Sequence, residues 1–252
     1  MMKLLSLCIL LLALIVPLYS GFITLNSVLS CEVTPPTVKA RLHVENTGNE
    51  AAYNIQVRFK ISEKEWLSKV FPKLEVNQKI EIENIETFEP EKNGNYALTA
   101  RVFFQDAAGY SFSSVLATLF TYREVTRPNL IGNLDDLTIS ERGVLKLHMT
   151  NLAHEDMNLD IKALIPDELS IEPIQKQIVL KARAKEDFHF RLSNLSALSG
   201  AAYPVWVLLE SESEDKHFSY LCSGNVRIKQ RVNVFEKYGW ILLVLVAVLI
   251  SI

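Results

Sequence analysis

Residues 42–49 read Leu-His-Val-Glu-Asn-Thr-Gly-Asn, and residues 147–151 read Leu-His-Met-Thr-Asn, at an offset of 105 residues. In both stretches apolar and polar side chains alternate until an asparagine opens a polar turn. Beyond the turn, Asn54-Ile55-Gln56-Val57 matches Asn158-Leu159-Asp160-Ile161 at an offset of 104 residues. The lost residue falls in the turn, where a length change costs least. A period of two on each side of a turn predicts two half-buried antiparallel strands. The chain therefore contains this unit twice.

Working outward, Val38, Ala40, Leu42 and Val44 alternate with Lys39, Arg41, His43 and Glu45. Tyr53, Ile55, Val57, Phe59 and Ile61 form the apolar face of the next strand. Tyr96, Leu98, Ala100, Val102 and Phe104 form another, turned at Asp106–Gly109 and returning over Phe112–Tyr122. In the second copy the strand signals are Ile165-Pro166, Ile178–Leu180, Phe188 with Phe190 and Leu192, then Tyr203, Val205, Val207 and Leu209, and last Phe218, Tyr220 and Cys222. No helical period of 3.6 stands between the two ends of the chain. The expectation is an all-β protein of two tandem immunoglobulin-like β-sandwiches, 32–124 and 130–236, joined by a linker at 125–129 that contains Arg127-Pro128.

The ends differ from the middle. Of 252 residues, 49% are hydrophobic and 22% charged, with a mean hydropathy of +0.15. The surplus sits in Leu4–Leu29 and Trp240–Ile252, neither of which holds a charge. Lys3 followed by the apolar Leu4–Val16 predicts a signal segment over 1–30, with cleavage after Ser20 or after Ser30, or retention as an uncleaved anchor. Val28-Leu29-Ser30-Cys31 is similar to a bacterial lipobox, which would lipidate Cys31. At the other end, Tyr238 and Trp240 sit as interfacial anchors before an apolar run, so 238–252 is expected to be a hydrophobic transmembrane helix. Its thirteen residues from Trp240 span roughly 20 Å as a helix. Ser223-Gly224-Asn225 would serve a GPI-type processing signal instead, at the cost of the last strand.

The run Leu42-x-Val44-x-Asn46-Thr47-Gly48-Asn49, the alternating strand after it and Leu74-Glu75-Val76-Asn77-Gln78 resemble the cell-adhesion-related Ig-like modules of bacteria and archaea. The departure is Gln78, where that family often has glycine. Leu145–Asn151, Ile165-Pro166 and Leu180–Phe190 resemble the Ig-like module that accompanies some glycosidases. Together the resemblance covers 33–235. It implies a spacer, adhesion unit or assembly platform, and it brings no functional residue with it.

A net charge of −3 and a pI near 6.0, with no basic stripe, exclude a nucleic-acid binder. The nine glycines form no phosphate-binding loop and no nucleophile elbow. His154-Glu155-Asp156 opens like a zinc-protease helix, but Asn158 stands where the second histidine belongs and the stretch reads as a turn. His43 and His148, at equivalent repeat positions, should lie on outward faces. Asp135-Asp136 and Glu212–Asp215 read as loop charges. Cys31 and Cys222 belong to different domains, and Cys222 reads as a small buried hydrophobe. The expectation is therefore no catalytic residue, no metal and no cofactor. The candidate ligand contact is Trp206, outward on its strand with Pro204 and Leu208, as Arg101 and Phe103 are on theirs. Asn194-Leu195-Ser196 is a glycosylation acceptor where the source has that machinery. Function is expected to be non-enzymatic: a membrane-tethered adhesion, scaffold or partner-presenting protein with its domains periplasmic or on the cell surface. Its partners would be the membrane and a protein, or a glycan in the alternative of a carbohydrate-binding accessory protein.

Overall fold

The computed structural model describes residues 21–126, 129–213 and 215–230. The expected hydrophobic helix at 238–252, the first twenty residues of the signal segment and Arg127-Pro128 of the linker lie outside the described residues. Within them the chain is all-β, with no helix.

The N-terminal half contributes β1 (Leu25–Thr34), β2 (Thr37–Asn46), β3 (Ala52–Ile61), β4 (Lys64–Leu67), β5 (Phe71–Leu74), β6 (Lys79–Thr87), β7 (Asn93–Gln105) and β8 (Ser111–Tyr122). The C-terminal half contributes β9 (Leu130–Leu134), β10 (Leu137–Ile139), β11 (Arg142–Asn151), β12 (Met157–Leu164), β13 (Leu169–Glu172), β14 (Gln175–Leu180), β15 (Lys185–Asn194), β16 (Ala202–Glu212) and β17 (Lys216–Ile228). A sheet ordered β1-β2-β6 and a second ordered β13-β15-β11-β9 each face one side of a long mixed sheet, β14-β12-β16-β17-β7-β3-β4. The arrangement is β-sandwich packing over two cores. One core gathers Leu42, Val57, Phe59, Leu98 and Tyr122, and the other gathers Leu145, Leu147, Ile161, Phe190 and Val207. Alternation drives both, since a strand with one apolar face gains stability by burying it against another sheet.

Three details depart from the sequence reading. Leu25–Ser30, assigned above to the signal segment, is the first part of β1, paired in register from Leu25 with Asn46 to Ser30 with Arg41. In β3 the expected alternation from Tyr53 breaks at a bulge. Asn54 takes φ 52°, the register against β7 shifts between Tyr53 and Gln56, and Ala52 fills the core place while Tyr53 stays half-exposed. In β17 the expected inward face of Phe218 and Tyr220 is only half-buried, whereas His217 and Ser219 on the other face are buried. At His217 that outer face is covered by Tyr96 of the N-terminal half.

The repeat is real in its hydrogen bonds. Asn46 is fully buried; its amide donates to the carbonyls of Glu50 at 2.8 Å and Leu74 at 3.2 Å, and its carbonyl accepts the Gly48 N–H at 3.0 Å. Asn151 is equally buried; it donates to Glu155 at 2.8 Å and to Leu180 and Lys181 at 3.1 Å, and it accepts the Ala153 N–H at 2.8 Å. Each asparagine thus clasps its own turn to the β5–β6 or β14–β15 turn. The left-handed residue in those two turns is Asn77 at φ 63° or Arg183 at φ 57°. Asn77 supplies the conformation that a glycine at position 78 would otherwise bring.

The two halves are folded back on each other. β7 and β17 start side by side, Asn93 opposite Lys216 and Gly94 opposite His217, and run in the same direction. The chain comes in at Gly21, beside Glu50, whose carboxylate accepts the Ala107 N–H of the β7–β8 turn. It leaves β8 at the opposite end, where Tyr122 pairs with Gly94, turns there, and returns through β17 to Gln230. Gly21 and Gln230 therefore share one end of the molecule, the terminal end. The connection between the halves occupies the other, the linker end.

Candidate functional site

The fold-back creates a seam between the halves. Ala97, Val115, Ala117 and Leu208 are buried yet belong to neither core. They lie on the outward faces of β7, β8 and β16, where the long sheet doubles over itself. Toward the terminal end, Glu168 is 2% exposed, and its carboxylate accepts the Ser113 N–H at 2.7 Å and the Ser113 hydroxyl at 3.0 Å. Ser113 Oγ in turn accepts the Asp167 N–H at 2.7 Å, and Arg101 pairs with Asp167. Glu168 thereby caps the open edge of β8, whose unpaired N–H groups would otherwise be a template for another strand.

At the linker end the seam becomes polar. Gly94 has φ 139°, and a Cβ there would lie 2.0 Å from the His217 carbonyl oxygen, so only glycine lets the two strands meet. The His217 ring stacks on Tyr96 at 4.2 Å between centroids. Its Nδ1 lies 3.5 Å from Glu212, and its Nε2 lies 3.5 Å from Glu210 and 3.1 Å from Ser219 Oγ. Lys92 reaches across to Glu212 at 2.8 Å, and Lys216 to Glu124 at 2.8 Å. Asn95 donates to the Thr126 carbonyl at the start of the linker.

Next to this cluster a cleft of about 750 Å³ opens between Ser62 and Glu63 of the β3–β4 turn and the outer face of β12, β14 and β16. Asp160, Lys162, Gln177, Glu210 and His217 line it. Lys162 lies 2.8 Å from Glu210 and 3.3 Å from Asp160. Burial opposes the charge on Glu210, but hydrogen bonds from His217 and Lys162 outweigh it and hold the carboxyl below its usual range. Burial likewise opposes the charge on Lys162, and Glu210 and Asp160 overcome it, raising its pKa. The Tyr96 hydroxyl is pushed up to about 12, first by burial and then by Glu212 and Glu210. These charges are paired at every step, so the cleft offers hydrogen bonds and a patterned field rather than an isolated reactive group. Ser219, His217 and Glu212 are connected in the order of a hydrolase triad, but Ser219 is 1% exposed and no substrate carbonyl can reach its hydroxyl.

Trp206, the candidate ligand contact, packs in the seam: its indole N–H donates to the Val115 carbonyl at 3.2 Å. Leu208, read as outward beside it, is buried, whereas Pro204 is exposed. Phe103 lies under the Arg58 guanidinium at 5.1 Å. His43 and His148 are on outward faces; His148 sits between Asp187 at 2.7 Å and Asp135 at 3.2 Å. The outward charges of β2 and β6 form a mesh in which Lys39 and Arg41 hold Glu83 down to about 2. Such solvated pairs add little stability. His154 and Asp156 belong to a turn, with Asp156 bound to Lys181 at 2.8 Å. The Asn194 amide is spent on the Ser140 carbonyl of the β10–β11 turn and on Ala197 of its own loop. Cys31 and Cys222 are both free thiols, pushed up to about 12 by burial. The sequence reading missed Glu168, His217 and the Lys162–Glu210 pair. Their signal was available in part: Asp160 and Lys162 on β12, and Glu210 and Glu212 on β16, are charges of both signs at alternating outward positions.

No protein-family profile and no curated protein matches the sequence. Solved structures similar to the chain include a Salmonella alpha-2-macroglobulin mutant, at 9% identity and a TM-score of 0.34, covering 82% of this chain and 16% of that one. The native Escherichia coli alpha-2-macroglobulin is similar at 9% identity and a TM-score of 0.32, covering 81% of this chain and 17% of that one. A protein of unknown function from Porphyromonas gingivalis is similar at 11% identity and a TM-score of 0.32, covering 81% of this chain and 99% of that one. The chain spans about a sixth of the length of the alpha-2-macroglobulins it matches.

Proposed function

We propose that this is a non-enzymatic, membrane-tethered protein of two immunoglobulin-like β-sandwich domains, held outside the cytoplasm, that presents a partner-binding surface on one rigid, folded-back arm. The observation that carries the reading is the seam. A hinge between two independent modules would leave the outer face of β16–β17 wet, whereas here Leu208, His217 and Ser219 on that face are buried, and Trp206 and Glu212 are bonded to Val115 and Lys92 of the N-terminal half. The apolar 238–252 segment serves as the tether. The targeting segment ends at Ser20 rather than Ser30, cleaved there or retained as an uncleaved anchor, and either outcome leaves β1 whole. With both termini at one end, the surface farthest from the tether is the linker end and its polar cleft, which suits a protein partner bearing hydrogen-bonding and charged side chains. The carbohydrate-binding alternative rested on a free tryptophan face, and Trp206 is engaged in the seam.

The test is photo-crosslinking in intact cells, with a photoreactive residue placed at Glu63 or Gln177 beside the cleft, or at Glu32 on the charged outer face as reference. Discrete protein adducts from the first two sites and not from Glu32 are the expected result. Adducts of equal pattern from all three sites would remove the cleft from the function. Resistance of the chain to protease added outside the cells would remove the extracytoplasmic placement.

A further inference from the structure

We infer that the terminal end of the molecule is a lipid-contacting surface, in which Phe22, Tyr110, Leu195 and Leu198 enter the interfacial layer of a phospholipid bilayer. The inference rests on the membrane-tethered reading above and adds the orientation of the arm and the residues that fix it.

The four side chains are 53%, 70%, 66% and 52% exposed and stand in neighbouring loops, where together they make one apolar patch. They come from distant parts of the sequence, and the fold brings them to one end. Phe22 is tied to the β2–β3 turn by its N–H donating to Asn49, and Glu50 of that turn accepts the Ala107 N–H of the β7–β8 turn, which carries Tyr110. From β8, Ser113 binds Glu168, and the Glu168 carbonyl accepts the N–H groups of Leu195 and Ser196. The loop that carries Leu198 is closed on the departing chain, with the Gly200 N–H donating to the Ile228 carbonyl and Ser199 Oγ to the Lys229 carbonyl. A continuous line of contacts thus runs from Gly21 to Gln230 across this end.

What covers the surface follows from where the chain goes next. Ten residues separate Gln230 from the apolar run that begins at Ile241, a reach of at most about 35 Å when fully extended. On the other side, Pro17–Ser20 alone separate Gly21 from the apolar Leu4–Val16. Both apolar stretches of the sequence leave from this end and from no other. Arg142, Arg227 and Lys229 stand here without an ion-pair partner among the described residues, and each can lay its stem on apolar surface with its charge at the headgroups. Aromatic and leucine side chains with cations beside them, here interspersed with the carboxylates of Glu50, Asp106 and Glu141, suit an interfacial membrane contact.

The test uses the full chain, with Cys8→Ser, reconstituted into phosphatidylcholine–phosphatidylglycerol vesicles. A single environment-sensitive fluorophore is placed on Tyr110→Cys, Leu195→Cys or Leu198→Cys, with Glu63→Cys at the linker end as reference. The unlabelled-site control is the Cys8→Ser chain treated alike, since Cys31 and Cys222 are poorly reactive thiols. Vesicle-bound protein whose labels at 110, 195 and 198 are quenched several-fold more than the label at 63 by lipid-borne nitroxides is the expected result. Vesicle-bound protein with equal, weak quenching at all four sites overturns the lipid-contacting end and leaves the tether standing. Protein that fails to float with the vesicles overturns the tether and, with it, this inference.

Discussion

Asn46 and Asn151 make the same bonds at opposite ends of the molecule. Asn46 closes its turn at the terminal end, against the Glu50 and Phe22 neighbourhood, and Asn151 closes its own at the linker end, where the Leu152 N–H donates to the Asn129 carbonyl. A repeat in sequence therefore reproduces a local device twice without fixing how the two copies face each other. Orientation is decided by residues outside the repeated pattern: Gly94, Ser113, Glu168, Trp206 and His217. The comparison separates two kinds of stability, one inside each half and one between them, and each can be broken on its own.

The largest effect is expected from the clasps. Asn46→Ala or Asn151→Ala leaves two or three carbonyls, one of them in a fully buried bond, and one N–H without the asparagine partner, which costs about 1–3 kcal/mol for each group that water cannot reach. A loss of about 2–4 kcal/mol is expected for each variant by urea denaturation. Because the seam joins the halves, both probes, one in each half, should report the same shifted transition. Two separate transitions, of which only the one in the mutated half moves, would show that the seam adds no coupling.

The seam itself is tested more gently. Glu168→Ala removes the acceptor of both Ser113 donors and should cost about 1–3 kcal/mol, against a smaller loss for Glu168→Gln, which retains one acceptor. The expected readout is trypsin cleavage after Arg123, faster in the alanine variant and intermediate in the glutamine variant, with far-UV strand signal kept in both. Unchanged cleavage in Glu168→Ala would mean that the halves are held together elsewhere.

The strands were readable because period-two alternation is a direct imprint of a sheet with one buried face. Leu42, Val57, Leu98, Leu147 and Val207 are all in the cores for that reason. The bulge at Asn54 was not readable, since a single left-handed residue leaves no trace in the apolar pattern. Nor was the start of β1, because Leu25–Ser30 continues an uncharged run whose first part has the composition of a targeting segment. The seam hid behind the same ambiguity. A charge or histidine on the outer face of a strand looks the same whether water or a neighbouring half covers it, so Trp206 reads as an open platform, and nothing in the pattern singles out His217 or Glu210. Only long-range topology, the fold-back, distinguishes the cases.

The smallest effect concerns the two histidines at equivalent repeat positions, and it sharpens the comparison on the solvated faces. His43 has one carboxylate oxygen, from Glu81, at 3.8 Å from its Nδ1. His148 has Asp187 at 2.7 Å on Nδ1 and Asp135 at 3.2 Å on Nε2, and these two hydrogen bonds, Asp187 first, raise its pKa above the ordinary histidine value. A raised folded-state pKa means that the protonated ring is bound more tightly in the native protein than in the unfolded chain. The contribution is therefore complete below the unfolded value of about 6.5 and fades as pH rises through the higher folded value. His148→Gln keeps a polar side chain but cannot carry the charge. Its denaturation midpoint should fall below that of the wild type at about pH 5.5 and converge with it on the alkaline side of the folded pKa. The same window should appear directly in an NMR titration, with the His148 ring resonances moving at higher pH than those of a model peptide. A midpoint difference that is constant with pH would assign the loss to packing or desolvation and dismiss the Asp135–His148–Asp187 bridge as an electrostatic feature of the C-terminal half.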